Sequence, residues 1–205
     1  MDREPLSDIL DELAKNGSVC KRRIGSRKCI YLSKFYEAER YVCEKLKLLE
    51  DKSVSYGIND VSRTIDNIEI TEGIKYAPMQ REAISLAVTS GVMVLTGGPG
   101  TGKTTVIKAV IGIFERMGYK IALAAPTGRA AKRMSEATSC EAKTIHRLLE
   151  MEFNDGVEPK FIKCEKNLLD ENVIIVDEAS MIDISLAEAL LKAIKPGAKL
   201  LLIGD

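Results

Sequence analysis

The chain has 205 residues, 45% hydrophobic and 5% aromatic, enough for one α/β domain and a smaller appendage. Thirty Lys and Arg balance thirty Asp and Glu, so no global basic character marks a nucleic-acid binder, and any such contact must come from local patches. The opening MDREPLSDIL lacks signal-peptide character, no run approaches membrane-spanning length, and the five cysteines show no metal-type pairing, so we expect a cytoplasmic protein with reduced, mostly buried thiols.

Leu6, Ile9, Leu10 and Leu13 recur at helical spacing between Pro5 and Asn16, with Gly17 as a stop. SVCKRRIGSRKCIYL then gives two short strands about a Gly25-Ser26 turn. Phe35, Ala38, Val42, Leu46 and Leu49 form the apolar stripe of a second helix. Helix, hairpin, helix over residues 1–50 resembles part of a winged-helix module. Lys21, Arg22, Arg23, Arg27 and Lys28 gather positive charge on the hairpin, which suits either phosphate contacts or an ordinary solvated surface. Residues 51–77, with turn formers Gly57, Asn59, Asp60 and Gly73, are expected to be a linker with one short helix about Ile65 to Ile70.

Residues 92–105, VMVLTGGPGTGKTT, organise the rest. Val92 to Leu95 is an apolar run expected of a strand buried on both faces. Gly97 to Thr104 match the phosphate-loop pattern G-x-x-x-x-G-K-[ST]. Glycines let successive N–H groups converge on one anion, and a helix starting near Lys103 adds its positive end. Lys103 would reach the β- and γ-phosphates of a nucleoside triphosphate, and the Thr104 hydroxyl would hold Mg²⁺.

Before the loop, Pro78 suits a helix start, and Gln80 lies on its first turn. A side-chain amide can donate to and accept from an adenine edge, although Gln80 taken by itself is an exposed helix residue. After the loop, Val106, Ala109, Val110, Ile113 and Phe114 mark the buried face of a helix ending near Gly118. KIALAA is a second strand, leading to Pro126-Thr127-Gly128 and the basic helix start Arg129, Lys132 and Arg133. A short helix about Thr144 to Leu149 carries the single histidine, His146. Residues 151–170 are polar and turn-rich, with Asp155-Gly156 as a hairpin turn, and have the character of an insertion. Val173 to Val176 is a third buried strand ending in Asp177-Glu178. Beside a phosphate loop, Asp177 can hold Mg²⁺ through water, and Glu178 can orient or deprotonate the attacking water. A helix over Ile182 to Ile194 and a strand over Lys199 to Ile203 follow. This alternation predicts an α/β fold with a mostly parallel sheet and the ligand at its carboxyl ends.

TGGPGTGKTT, AAPTGRAAKR, TIHRLL, VIIVDEASM and LLIGD, in this order, resemble the RecD-like superfamily 1 DNA helicases, related to the exodeoxyribonuclease V alpha chain. The resemblance covers about Tyr76 to Asp205. It implies a RecA-like P-loop NTPase domain over 78–205, the first motor domain of a helicase moving 5′ to 3′ on single-stranded DNA. It matches Gln80 to an adenine-recognising glutamine. Gly98, Pro99, Gly100, Thr101, Gly102, Lys103, Thr104 and Thr105 match the ATP-binding loop, and Asp177 and Glu178 the DE motif. Pro126, Thr127, Gly128 and Arg129 match a motif touching the DNA strand; His146 matches a small motif with a DNA-proximal or coupling role. The same resemblance places the strand ending at Asp205 between the P-loop strand and the DE strand. ATP and Mg²⁺ are the implied cofactors, and a second motor domain, single-stranded DNA and subunits of a nuclease complex the implied partners, in DNA recombination and repair.

The family continues past Gly204-Asp205 to a phosphate-sensing glutamine, a second motor domain and an arginine finger. The 205-residue chain is therefore expected to bind MgATP with little turnover and no unwinding. The alternative from another class is a P-loop ATPase acting as a DNA-associated switch or loader. A third reading, a transcription-factor-like N-terminal module, meets acidic Asp8, Asp11 and Glu12 on its first helix, which would repel phosphates.

Overall fold

The computed structural model describes residues 3–53, 58–98, 100–152 and 160–204. The chain opens with α1 (Arg3–Lys15), the hairpin strands β1 (Val19–Ile24) and β2 (Arg27–Leu32), and α2 (Ser33–Asp51). α3 (Ile58–Glu72) and α4 (Pro78–Thr89) lead into the sheet. Its elements are β3 (Val92–Thr96), α5 (Lys103–Arg116), β4 (Ile121–Ala125), α6 (Gly128–Thr138), β5 (Ala142–Thr144) and α7 (Ile145–Leu148). A small hairpin, β6 (Met151–Glu152) and β7 (Lys160–Phe161), precedes β8 (Val173–Val176), α8 (Ile184–Ala193) and β9 (Lys199–Gly204).

Five strands pair in the order β3-β9-β8-β4-β5, all parallel. β9 lies between the P-loop strand and the DE strand, where the family resemblance put it. Successive side chains of a strand point to opposite faces, and β8 divides accordingly. Val173 and Ile175 join the core under α3, α4 and α5, whereas Ile174 and Val176 join the core under α2, α7 and α8. Both faces of β8 are thereby sealed, and each fully buried isoleucine contributes roughly 1.5–3 kcal/mol by leaving water.

The structure corrects several expectations. β3 is the edge of this sheet rather than a strand buried on both faces, and Val94 is 62% exposed. The described cysteines are free thiols but none is buried: Cys43 is exposed and the others are half-buried. Residues 58–72 form one helix rather than a short segment about Ile65 to Ile70, because Val61, Ile65 and Ile68 enter the core. Glu69 fixes its end, accepting the Tyr76 N–H at 2.8 Å and pairing with Arg81 of α4 at 2.7 Å. β5, three residues long, has no counterpart in the sequence reading. The expected Asp155-Gly156 turn lies outside the described residues.

α2 does not stop at the hairpin. Its stripe of Tyr41, Val42, Leu46 and Leu49 packs into the core against α8. At its far end Glu50 accepts the backbone N–H groups of Gly91 at 3.0 Å and Val92 at 2.7 Å, where β3 begins. Buried Lys199, at the start of β9, donates to Ser53 Oγ and Ser90 O, both at 2.9 Å. Gly91 is there for space: a Cβ would stand 2.3 Å from the Leu49 carbonyl oxygen.

Candidate functional site

The carboxyl ends of the parallel strands meet the N-termini of α5 and α6 on one rim of the sheet. β3 ends at Thr96, and a glycine-rich turn leads into α5. Gly100 (φ +78°) and Gly102 (φ +87°) occupy the left-handed region, open to glycine without steric cost. No side chain caps α5, so the donors of its first turn remain available to an anion. The Lys103 ammonium folds over the loop and donates to the Gly97 carbonyl.

Across from the loop, β8 delivers two carboxylates. The Asp177 N–H bonds the Ala124 carbonyl at 2.9 Å, and Asp177 Oδ1 accepts the Glu178 N–H at 3.0 Å. Glu178 adopts φ +53°, a left-handed conformation that costs a non-glycine residue about 1–2 kcal/mol. Its Oε1 lies 3.5 Å from Nη1 of Arg133 on α6.

A cavity of about 370 Å³ gathers most of the residues expected from sequence: Gly98, Gly100, Thr101, Gly102, Lys103, Thr104, Asp177 and Glu178. It also takes Ile107, Gly204 and Arg133, which were not expected as site residues. The sequence marked Arg133 only as part of a basic helix start, with nothing to tie it to this cavity. Thr105 belongs to α5 but does not line the cavity. Pro99 lies outside the described residues. Gln80 sits beside the loop: its Oε1 accepts the Ala77 N–H at 3.0 Å, and its Nε2 would be 2.2 Å from any Cβ at Gly102.

The residues expected on DNA are spread more widely. Pro126 and Thr127 are half-buried, and the Thr127 hydroxyl caps α6 by accepting the Ala130 N–H at 3.2 Å. Arg129 is exposed. His146 lines a separate cavity of about 520 Å³ with Arg147, Glu150 and Met151, its ring 5.9 Å from that of Phe161.

The donor chemistry fits a nucleoside triphosphate carried with a hard cation. An uncapped helix start and Lys103 suit phosphate oxygens, and Thr104 and Asp177 offer oxygen ligands in the same cavity. Among the described residues no cluster of three or more His, Cys, Asp or Glu could hold a metal by itself. A cation here would share its shell with phosphate and water, as Mg²⁺ commonly does.

The sheet order, the glycine loop entering a helix and the carboxylates at the end of β8 define an α/β domain of the RecA-like P-loop NTPase class. A family model described as an AAA domain matches residues 80–205, and the chain belongs to that family as a RecD-like member. It is similar to the RecBCD enzyme subunit RecD of Mycobacterium tuberculosis (strain ATCC 25618 / H37Rv), 36% identical over 201 residues, covering 86% of this chain and 32% of that protein. It is also similar to the ATP-dependent RecD2 DNA helicase of Deinococcus radiodurans, 45% identical over 117 residues, covering 56% of this chain and 15% of that one. Among solved structures, Bacteroides Pif1 bound to ssDNA aligns with a TM-score of 0.45 at 26% identity, covering 64% of this chain and 32% of that chain. The chain spans about a third of the length of the RecD subunits it matches.

Proposed function

We propose that residues 78–205 are the first motor domain of an ATP-driven, RecD-like DNA helicase working 5′ to 3′ on single-stranded DNA. Residues 1–50 are a winged-helix-like module in front of it, and the protein works in the cytoplasm. The observation that carries this reading is the meeting of Lys103, Thr104, Asp177 and Glu178 around one cavity at the carboxyl rim of the sheet. Lys103 and the α5 amides would bind the triphosphate, with Thr105 at the next position of that helix. Gln80 would hold the adenine. Thr104 and Asp177 would hold Mg²⁺, which when bound neutralises charge on the β- and γ-oxygens. Glu178, positioned by Arg133, would orient the attacking water and take its proton. Pro126, Thr127, Arg129 and His146 would follow the DNA strand. A second motor domain and subunits of a nuclease complex are the protein partners of this reading.

The test is binding of a fluorescent ATP analogue with Mg²⁺, followed by turnover with and without a single-stranded oligonucleotide. The wild-type chain should bind the analogue, and Lys103→Ala should weaken it by at least tenfold, about 1.4 kcal/mol or more. Equal binding by both would overturn the assignment of the cavity. We expect little turnover from the 205 residues by themselves, since an arginine finger supplied by other parts of such motors is worth about 10³–10⁵ in rate.

A further inference from the structure

The β1–β2 hairpin carries Lys21, Arg22, Arg23, Arg27 and Lys28 and no acidic residue. These cations do not share one fate. Lys21 pairs with Asp11 of α1. Arg22 lies along α2, donating to the Tyr36 hydroxyl at 3.0 Å with its guanidinium 4.9 Å above that ring. Arg23 Nε reaches only the carbonyl of its own turn, Gly25, at 3.2 Å. Arg27 and Lys28 make no hydrogen bond or ion pair among the described residues.

Register sharpens this. Arg23 and Lys28 are direct cross-strand partners, so two cations stand side by side on one face next to the turn. Like charges in that relation destabilise an antiparallel pair. An anion between them would reverse the sign. The scaffold beneath is fixed by the six paired positions of the ribbon, by Gly25 at φ +58° in a two-residue turn, and by the contacts to α1 and α2. Ile24, opposite Arg27 and 59% exposed, gives the tip an apolar side chain to lay against a sugar.

We infer that this hairpin is a binding element for duplex DNA, with Arg23, Arg27 and Lys28 set on backbone phosphates. Charge complementarity names a polyanion, and the aromatic residues exclude the single strand as preferred ligand. Single-strand binders stack bases on open aromatic faces. Here Tyr31 packs on Tyr36 with centroids 5.6 Å apart and the rings tilted by 48°, Arg22 covers the Tyr36 ring, and Lys34 Nζ stands 4.8 Å over the ring of Phe35. Backbone contact without stacking is the duplex mode. The inference stands apart from the nucleotide site.

The experiment is a fluorescence-anisotropy titration of a mixed-sequence DNA duplex and its matched single strand over a salt series. It compares the wild-type chain with Arg23→Ala/Arg27→Ala/Lys28→Ala. The triple variant should lose roughly tenfold or more in duplex affinity, and its log–log salt slope should shrink by about 2–3, one unit per phosphate contact. Single-strand affinity and ATP-analogue binding should be unchanged. Because the substitutions remove a repulsion, the melting midpoint should hold or rise, which separates lost binding from lost fold. The exchange Arg27→Lys/Lys28→Arg should keep duplex binding. Unchanged duplex affinity and slope would overturn the inference and assign the cations to an acidic protein surface or to solvent. Equal loss on the single strand would overturn the duplex assignment. Failure of Lys103→Ala to weaken the analogue would sink the motor reading and leave this one standing.

Discussion

Arg133 Nη1 lies 3.5 Å from Glu178 Oε1, joining the helix after β4 to the turn after β8 across the mouth of the phosphate-loop cavity. The Arg133 side chain is 72% exposed, so the pair adds only about 0–1 kcal/mol to stability. Its significance lies in where it sits. The guanidinium is a second cation, with Lys103, on the lining of one cavity, and it holds the carboxylate proposed to orient water.

Arg133→Ala should therefore leave the melting midpoint nearly unchanged while weakening ATP-analogue binding by about tenfold, the scale of one charge-assisted contact. Arg133→Lys should recover part of the loss. Thermal melts and analogue titrations of the three proteins check this. A large fall in melting temperature without loss of affinity would show a structural role instead.

Gln80 makes a different kind of contact. Its amide oxygen is engaged by the Ala77 N–H, and its nitrogen rests over Gly102 at the end of the phosphate loop. Gln80→Ala should weaken binding of an adenine nucleotide by about tenfold while changing a guanine nucleotide by less than about twofold, because only adenine loses a paired edge. Competition of ATP and GTP against one fluorescent analogue measures the ratio. Equal loss for both bases would mean that Gln80 supports the loop rather than reading the base.

Where α2 meets β3 there is no spare room. Gly91→Ala would bring a Cβ to 2.3 Å from the Leu49 carbonyl and 2.8 Å from Glu50 Cα, both backbone. Overpacking of this kind costs about 1–3 kcal/mol. Denaturant unfolding should show that loss, and hydrogen exchange should show the end of α2 loosening first. Glu50→Gln keeps the shape but removes the charge from two accepted N–H groups on a largely exposed side chain, and should cost about 1 kcal/mol.

Lys199 adds a pH signature. Burial holds its ammonium below the ordinary lysine value of 10.5, and the charge of Glu50 opposes that shift. Between the lowered folded value and 10.5 the unfolded chain binds more protons than the folded one, so stability contributed by this group rises with pH across that window. Lys199→Met should flatten the rise. Melts taken toward pH 10.5 compare the two slopes, and parallel slopes would remove Lys199 from the account.

The rim of the phosphate-loop cavity was legible because its signals are local. A glycine loop, a lysine and a strand ending in two acids are each read within a few residues, and parallel pairing brings them together. Arg133 was not, since its partner Glu178 belongs to a distant strand and only tertiary packing aligns them. Glu50 was invisible for a related reason: its partners are the backbone N–H groups of Gly91 and Val92, which leave no pattern in side chains. β5 is too short for periodicity, and two of its three residues are Lys143 and Thr144. In α3 the buried positions Val61, Ile65 and Ile68 do keep helical spacing, but the polar residues between them obscured it. The misreading of β3 came from treating an apolar run as proof of two covered faces, when Val94 stands exposed on the edge strand.

α2 is a strut. It leaves the basic hairpin at Ser33 and ends at Asp51, about 28 Å away along a helix of 19 residues. There Glu50 of its last turn holds Gly91 and Val92, where the strand that carries the phosphate loop begins. A load applied to the hairpin would travel down this one helix to the floor of the phosphate-loop cavity.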